Sequence, residues 1–74
     1  MESVGKRIEE TRRRRLMTQA DLADKARLSL ITVTRLENDA STNPRISTLK
    51  ALALALDVDP AWLLFGADEG KAAA

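Results

Sequence analysis

The chain has 74 residues, with 12 Lys and Arg against 11 Asp and Glu and a formal net charge of +1. This length allows one small domain, whose modest core requires tight helix packing or oligomerisation for stability. The chain contains neither Cys nor His, which excludes disulfides, thiolate metal sites and the commonest general base, so we expect no catalytic site, metal site or cofactor.

The first predicted helix begins after Ser3, which is placed to cap it, and runs to about Arg15. Val4, Ile8 and the stem of Arg12 share one face of this helix. That face is therefore expected to pack against the core.

A second helix is predicted from Gln19. Thr18 can cap its free N–H groups, and Asp21, three residues on, favours the positive end of the helix dipole. Its narrow apolar face consists of Leu22, Ala23 and Ala26. The small side chain of Ala23 lets another helix approach closely.

The third predicted helix is capped by Ser29 and buries Val33 and Leu36, with Leu28 filling the gap beneath the preceding turn. Its opposite face has no core to fill, although it carries apolar side chains beside an arginine. The residues of this face are Leu30, Ile31, Thr34 and Arg35. Two short amphipathic helices in this arrangement predict a helix-turn-helix motif that contacts DNA.

A loop and a fourth helix follow. Residues 39–44 are rich in turn formers, and Pro44 disfavours a helical conformation at Asn43. The fourth helix is expected from about Ile46 to Leu56, and its apolar repeat consists of Ile46, Leu49, Ala53 and Leu56. Alternating Ala and Leu leave no polar face, and both residues favour helices, so we reject a strand here.

The last predicted helix is short. Asp59 caps it, Pro60 occupies its first position, and it ends at Gly66. The sequence therefore predicts an all-α domain of five helices over residues 1–66, followed by a flexible C-terminal tail over residues 67–74.

Charge is distributed unevenly along the chain. Residues 1–50 hold eleven basic and seven acidic side chains, a net charge of +4, whereas residues 51–74 hold one and four, a net charge of −3. Such asymmetry can steer a polyanion to one face and leave the other for protein contacts.

The apolar residues do not form a membrane-spanning or secretory segment. The longest apolar run, residues 51–56, is far shorter than the roughly 20 residues that span a bilayer. The polar N-terminus lacks the pattern of a signal peptide. We therefore expect a cytoplasmic, nucleoid-associated protein with no membrane partner.

Five segments together carry a specific resemblance. They are Val4-Gly5-Lys6-Arg7-Ile8, Thr18-Gln19-x-x-Leu22-Ala23, Arg35-Leu36-Glu37-Asn38, Pro44 with Leu49 and Ala53, and Val58 to Leu64. Over nearly its whole length the chain resembles the Cro and phage-repressor type of helix-turn-helix proteins, also called the xenobiotic-response-element family. The resemblance implies a compact five-helix lambda-repressor-like domain. Arg27 and Asp39 stand where the family usually has Gly; positive φ would strain Arg27, whereas Asp tolerates it better.

The resemblance implies that the outer face of the third helix contacts base edges. Arg35 is expected to bridge guanine O6 and N7, with a solvated helix charge as the alternative. Leu30, Ile31 and the methyl group of Thr34 are expected to pack on thymine methyl groups. Alternatively, Leu30 is partly tucked into the protein.

Backbone contacts are implied at both ends of the motif. Gln19 lies at a helix N-terminus that suits a phosphate, and Thr18 adds a second phosphate contact or acts as a cap alone. Asn38 either contacts the DNA backbone or fixes the following loop. Further backbone contacts are expected from Thr42 and Asn43. Arg45 is the candidate for a narrow minor groove, with a flexible surface arginine as the alternative.

Two further sets of residues are assigned structural roles. The resemblance implies a partly buried ion pair between Arg12 and Glu37 that joins the first and third helices. The last helix has more apolar surface than a small core needs, and the resemblance implies a two-fold dimer through this helix and the segment before it. Leu54 of the fourth helix and Phe65 are therefore the candidates for dimer contacts.

We therefore predict a sequence-specific regulator of transcription, most simply a repressor, that binds double-stranded DNA at a palindromic operator as a homodimer. It is not predicted to be an enzyme, because its carboxylates lack a partner His or Cys or a phosphate-binding loop. The alternative is an antitoxin-type module that neutralises a protein partner, with DNA binding secondary.

Overall fold

A computed structural model describes residues 3–39 and 44–66 and gives the chain an all-helical fold. Within that part of the chain the elements are α1 (Val4–Arg14), α2 (Gln19–Ala26), α3 (Leu30–Glu37), α4 (Ile46–Leu56) and α5 (Pro60–Phe65). The predicted fold class, helix order and helix positions are confirmed. Thr42, Asn43 and the predicted tail 67–74 lie outside the described residues.

Side chains at the predicted N-caps start four of the helices. Ser3, Thr18 and Ser29 accept hydrogen bonds at 3.0–3.1 Å from backbone N–H groups three residues on, and Asp59 accepts one at 2.7 Å from the N–H of Ala61. Each bond satisfies a donor that has no partner within its helix. In contrast, Arg45 precedes α4 without a side-chain cap.

Among the residues that the structure describes, four other than Gly adopt the left-handed conformation at helix ends and turns: Leu16, Arg27, Asp39 and Asp57, all with φ between 57° and 59°. The positive φ considered for Arg27 and Asp39 is therefore present. Aspartate is more tolerant of this region than leucine or arginine. The tight ends of α1 and α2 are thus built with conformationally costly residues.

The core is formed by side chains from all five helices. Its six fully buried large side chains are Ile8, Leu22, Val33, Leu52, Leu56 and Leu63. The backbones of α1 and α3 lie against each other at Gly5. A Cβ at this position would overlap the carbonyl oxygen of Leu36. Gly5 is therefore required by packing rather than by its φ angle.

Ile46 belongs to the apolar repeat of α4 but not to its buried face. Leu49, Leu52, Ala53 and Leu56 pack inward, whereas Ile46 is 59% exposed. Ile46 is the first residue of α4 and lies beyond the edge of the core, so the buried part of the repeat begins one turn later.

None of the helices found in residues 3–39 and 44–66 combines the length and apolar character required to cross a membrane.

Candidate nucleic-acid interface

Helices α2 and α3 pack together through buried apolar side chains, which are small on the α2 side. Ala23 and Ala26 are buried at 4% and 8% exposure, and Val33 and Leu36 of α3 are buried at 0% and 4%. The N–H of Leu28 donates to the carbonyl of Ala23 at 2.8 Å and fixes the turn between the two helices. This packing holds α3 against α2 along one face only.

The outer face of α3, consisting of Leu30, Ile31, Thr34 and Arg35, is directed to solvent. Leu30 and Ile31 are 49% and 65% exposed, Arg35 is exposed and Thr34 is half-buried. Leu30 is thus less exposed than Ile31, which is the direction expected if Leu30 packs partly against the protein. The structure therefore brings the four predicted base-contacting residues onto one helix and leaves three of them accessible.

A buried ion pair joins α1 to the end of α3. Arg12 Nε donates to Glu37 Oε2 at 2.7 Å and Arg12 Nη2 donates to Glu37 Oε1 at 3.0 Å, which is a bidentate arrangement. Arg12 Nη1 also donates to the carbonyl of Met17 at 2.7 Å. The hydrogen bond to Glu37 and its charge raise the pKa of Arg12, against the opposing effect of burial.

Two residues predicted to contact DNA, Gln19 and Thr34, extend the hydrogen bonding of the Arg12–Glu37 pair. Gln19 Nε2 donates to Glu37 Oε1 at 3.0 Å, and the Thr34 hydroxyl donates to Gln19 Oε1 at 3.3 Å. The side chains therefore form a continuous chain of hydrogen bonds from Arg12 through Glu37 and Gln19 to Thr34. Its effect is to fix the orientation of the Gln19 amide and to occupy the Thr34 hydroxyl.

The remaining predicted backbone contacts are less constrained. Thr18 is exposed and forms a capping box with Asp21, in which the Thr18 N–H donates to Asp21 Oδ2 at 2.9 Å. These bonds lower the pKa of Asp21, the backbone N–H having the larger effect. Asn38 is exposed as the C-cap of α3, and Arg45 is exposed immediately before α4.

Several cations are available to a polyanion. Arg13 is exposed, but it forms an ion pair in which its Nη2 lies 3.1 Å from Oε2 of Glu9. In the part of the chain described, seven exposed basic side chains form no ion pair: Arg14, Arg15, Lys25, Arg27, Arg35, Arg45 and Lys50. They supply positive charge that is not neutralised locally.

The C-terminal helix divides its apolar residues between core and surface. Trp62 and Leu63 are buried, so this helix completes the core of the protomer. Leu54 of α4 and Phe65 of α5, the candidates for dimer contacts, are 84% and 75% exposed.

Arg7 has a structural role that the sequence analysis missed. It is 7% exposed, and its Nε and Nη2 donate to the carbonyl oxygens of Leu63 and Leu64 at 2.8 and 2.7 Å. Arg7 therefore ties α1 to the last carbonyls of α5. One sequence signal could have indicated this role. The last turn of α5 contains no basic residue, so a donor for its last carbonyls has to come from another helix.

Comparison with known proteins places this geometry among helix-turn-helix domains. The Helix-turn-helix family matches residues 8–63. The immunity repressor protein of Bacillus phage phi105 is 45% identical over 56 residues, which represent 76% of this chain and 38% of that repressor. The chain thus spans well under half the length of that relative.

Two solved structures are similar in fold. The P22 c2 repressor in complex with synthetic operator 9T superposes with a TM-score of 0.84 at 28% identity, over 90% of this chain and 100% of that one. The complex of SinR and SinI gives a TM-score of 0.81 at 31% identity, over 84% of this chain and 60% of that one.

Proposed function

The chain belongs to the helix-turn-helix family, with a lambda-repressor-like fold, and from this membership we propose that it is a sequence-specific DNA-binding regulator of transcription. In this proposal the DNA-binding domain lies within residues 1–66, and the protein acts as a repressor. The observation that carries the proposal is the outer face of α3, on which Leu30, Ile31 and Arg35 are exposed and take no part in the core. The fold is shared with a repressor crystallised on its operator, which supports the same use here.

The proposed mechanism is binding alone. Helix α3 lies in the major groove, where Arg35 bridges guanine O6 and N7 and the apolar side chains contact base edges. Thr18, Gln19 and Asn38, together with Thr42 and Asn43, contact the DNA backbone, and Arg45 enters the minor groove. The unpaired cations displace counterions from the phosphates, so affinity falls as salt rises.

We also propose that two copies bind a palindromic operator. The described part of one protomer measures 30 × 23 × 20 Å, whereas successive major grooves on one side of the duplex are roughly 34 Å apart. A single copy therefore reads one groove, and two copies joined through Leu54 and Phe65 read two. A palindrome follows from the two-fold symmetry of such a pair.

The proposal is tested by selecting duplexes from a random pool and measuring their affinity by fluorescence anisotropy across a salt series. The expected result is a palindrome with half-sites about one helical turn apart. Arg35→Ala should weaken binding by about 1–3 kcal/mol and relax specificity at one position of each half-site. Arg35→Lys is the matched control, because it keeps the charge but loses the bidentate fork. Weak binding that enriches no sequence would overturn the proposal.

A protein partner is the second candidate function. Similarity to SinR in its complex with SinI supports it, as do the exposed side chains of Leu54 and Phe65. In that case the apolar surface of α4 and α5 binds a different protein, and DNA binding is secondary. The duplex selection separates the two, because weak, salt-sensitive binding that enriches no sequence would favour the second candidate.

A further inference from the structure

Thr34 differs from the other residues on the outer face of α3, because its polar group is bonded to a side chain of another helix. It is half-buried, and its hydroxyl donates to Gln19 Oε1 at 3.3 Å. This bond crosses from α3 to the first residue of α2. Arg35, on the same face, forms no hydrogen bond or ion pair with residues 3–39 or 44–66. The Thr34 hydroxyl is therefore already engaged in the absence of DNA.

The neighbours of Gln19 determine which way its amide points. Gln19 Nε2 lies 3.0 Å from Glu37 Oε1, and Arg12 donates to both oxygens of the same carboxylate. An ionised carboxylate only accepts hydrogen bonds, so the amide nitrogen has to face Glu37. The amide oxygen then faces Thr34, whose hydroxyl is able to donate to it.

Two anchors fix an amide that one anchor would leave free to turn. With Glu37 alone, the amide plane can rotate about the hydrogen bond between Nε2 and the carboxylate oxygen. The bond from Thr34 to Oε1 removes that freedom, because both ends of the amide are then held. The second N–H of Gln19 Nε2 has no acceptor among residues 3–39 and 44–66. The structure thus presents one free donor in a fixed orientation at the start of α2.

The proposed function supplies an acceptor for that donor, since Gln19 is one of the residues assigned to the DNA backbone. Accepting that function as the premise, we infer that Thr34 is a positioning residue, whose hydroxyl holds the Gln19 amide so that the free N–H of Nε2 donates to a phosphate oxygen. Thr34 then contributes to affinity through its hydroxyl and through Gln19. The sequence alone predicted a different role, a contact between the methyl group of Thr34 and thymine.

Two substitutions of Thr34 separate its hydroxyl from its methyl group. Thr34→Val keeps the shape and removes the hydroxyl, whereas Thr34→Ser keeps the hydroxyl and removes the methyl group. We expect Thr34→Val to weaken binding to the selected duplex about two- to tenfold per half-site, the cost of ordering one more side chain on binding. Thr34→Ser should bind as the wild type does. Affinity is measured by fluorescence anisotropy, and thermal denaturation verifies that both variants are folded.

A double-mutant cycle tests whether the hydroxyl acts through Gln19. In a Gln19→Ala background the amide is absent, so Thr34→Val should cause no further loss of affinity. Thr32→Val is the matched control, because it removes a hydroxyl of the same helix that is bonded to Ser29 instead of Gln19. Any effect of Thr32→Val should be the same in both backgrounds.

Neutral substitutions in the DNA backbone test the contact from the other side. Each phosphate of a half-site is replaced in turn by a methylphosphonate, which removes the charge and one acceptor oxygen. The phosphate bound by Gln19 is the one whose replacement weakens binding of the wild-type chain more than that of Gln19→Ala. At that phosphate, Thr34→Val should reduce the penalty of replacement, whereas Thr34→Ser should retain it in full.

The outcomes separate this inference from its premise. If no duplex is enriched, the proposed function is overturned and this inference with it. If a duplex is bound specifically but Thr34→Val binds as tightly as the wild type, the inference is overturned while the proposed function stands. A loss of affinity confined to Thr34→Ser overturns it in the same way and assigns the residue to a thymine methyl group. Independent effects of Thr34→Val and Gln19→Ala overturn it as well.

Discussion

At the scale of single residues, the Arg12–Glu37 pair is the most consequential polar contact. The Glu37 side chain is 2% exposed and that of Arg12 is 10% exposed, so loss of either partner leaves a buried charge. We expect Glu37→Ala to lower the free energy of unfolding by about 3–5 kcal/mol, measured by urea denaturation. Glu9→Ala is the control, because its exposed pair with Arg13 is worth less than about 1 kcal/mol. Equal losses in the two variants would contradict this assignment.

Thr11 is buried at 3% exposure, and its hydroxyl has no hydrogen-bond partner among residues 3–39 and 44–66. Thr11→Val exchanges that hydroxyl for a methyl group of similar shape and removes the cost of an unsatisfied polar atom. We expect the free energy of unfolding to rise by about 1 kcal/mol, seen as a higher midpoint in thermal denaturation. The same change at Thr32, whose hydroxyl is bonded to Ser29, should bring no gain. A lower midpoint for Thr11→Val would show that the hydroxyl is satisfied in solution.

At the scale of helices and turns, Leu16 carries a conformational cost without compensation. Its φ is 57° and its side chain is 91% exposed, so the residue has left-handed backbone geometry and buries little apolar surface. Leu16→Gly should raise the free energy of unfolding by about 1 kcal/mol, the strain relieved exceeding the added flexibility of the unfolded chain. Leu16→Ala keeps the strain and is the control. Both are measured by chemical denaturation, and destabilisation by Gly would mean that Leu16 has a contact in solution.

The helices could be predicted because their signals are local. Ser3, Thr18 and Ser29 bond to N–H groups three residues away, so cap and helix start lie in one short segment of sequence. Arg7 could not be assigned in this way, since its partners Leu63 and Leu64 are more than 50 residues away. The bond of Gln19 to Glu37 likewise depends on the packing of α2 on α3. Base and phosphate contacts stay predictions, because they require the DNA.

At the scale of the whole molecule, the proposed surfaces lie on different helices. The DNA-facing residues belong to α2, α3 and the segment before α4, whereas Leu54 and Phe65 belong to α4 and α5. The charge asymmetry follows the same division, with +4 in residues 1–50 and −3 in residues 51–74. A dimer formed through Leu54 and Phe65 would therefore use none of the residues assigned to the proposed DNA interface.

The division of surfaces leads to a prediction for assembly. Leu54 is 84% exposed, so Leu54→Glu should leave the protomer folded while placing like charges in the proposed dimer contact. We expect sedimentation equilibrium to show a monomer and anisotropy to show at least a tenfold loss of affinity for a full palindrome, about 1.4 kcal/mol or more. Affinity for an isolated half-site should change much less. Leu16→Glu, the same change at another exposed leucine, should not alter the sedimentation. A Leu54→Glu chain that still sediments as a dimer would place the interface elsewhere.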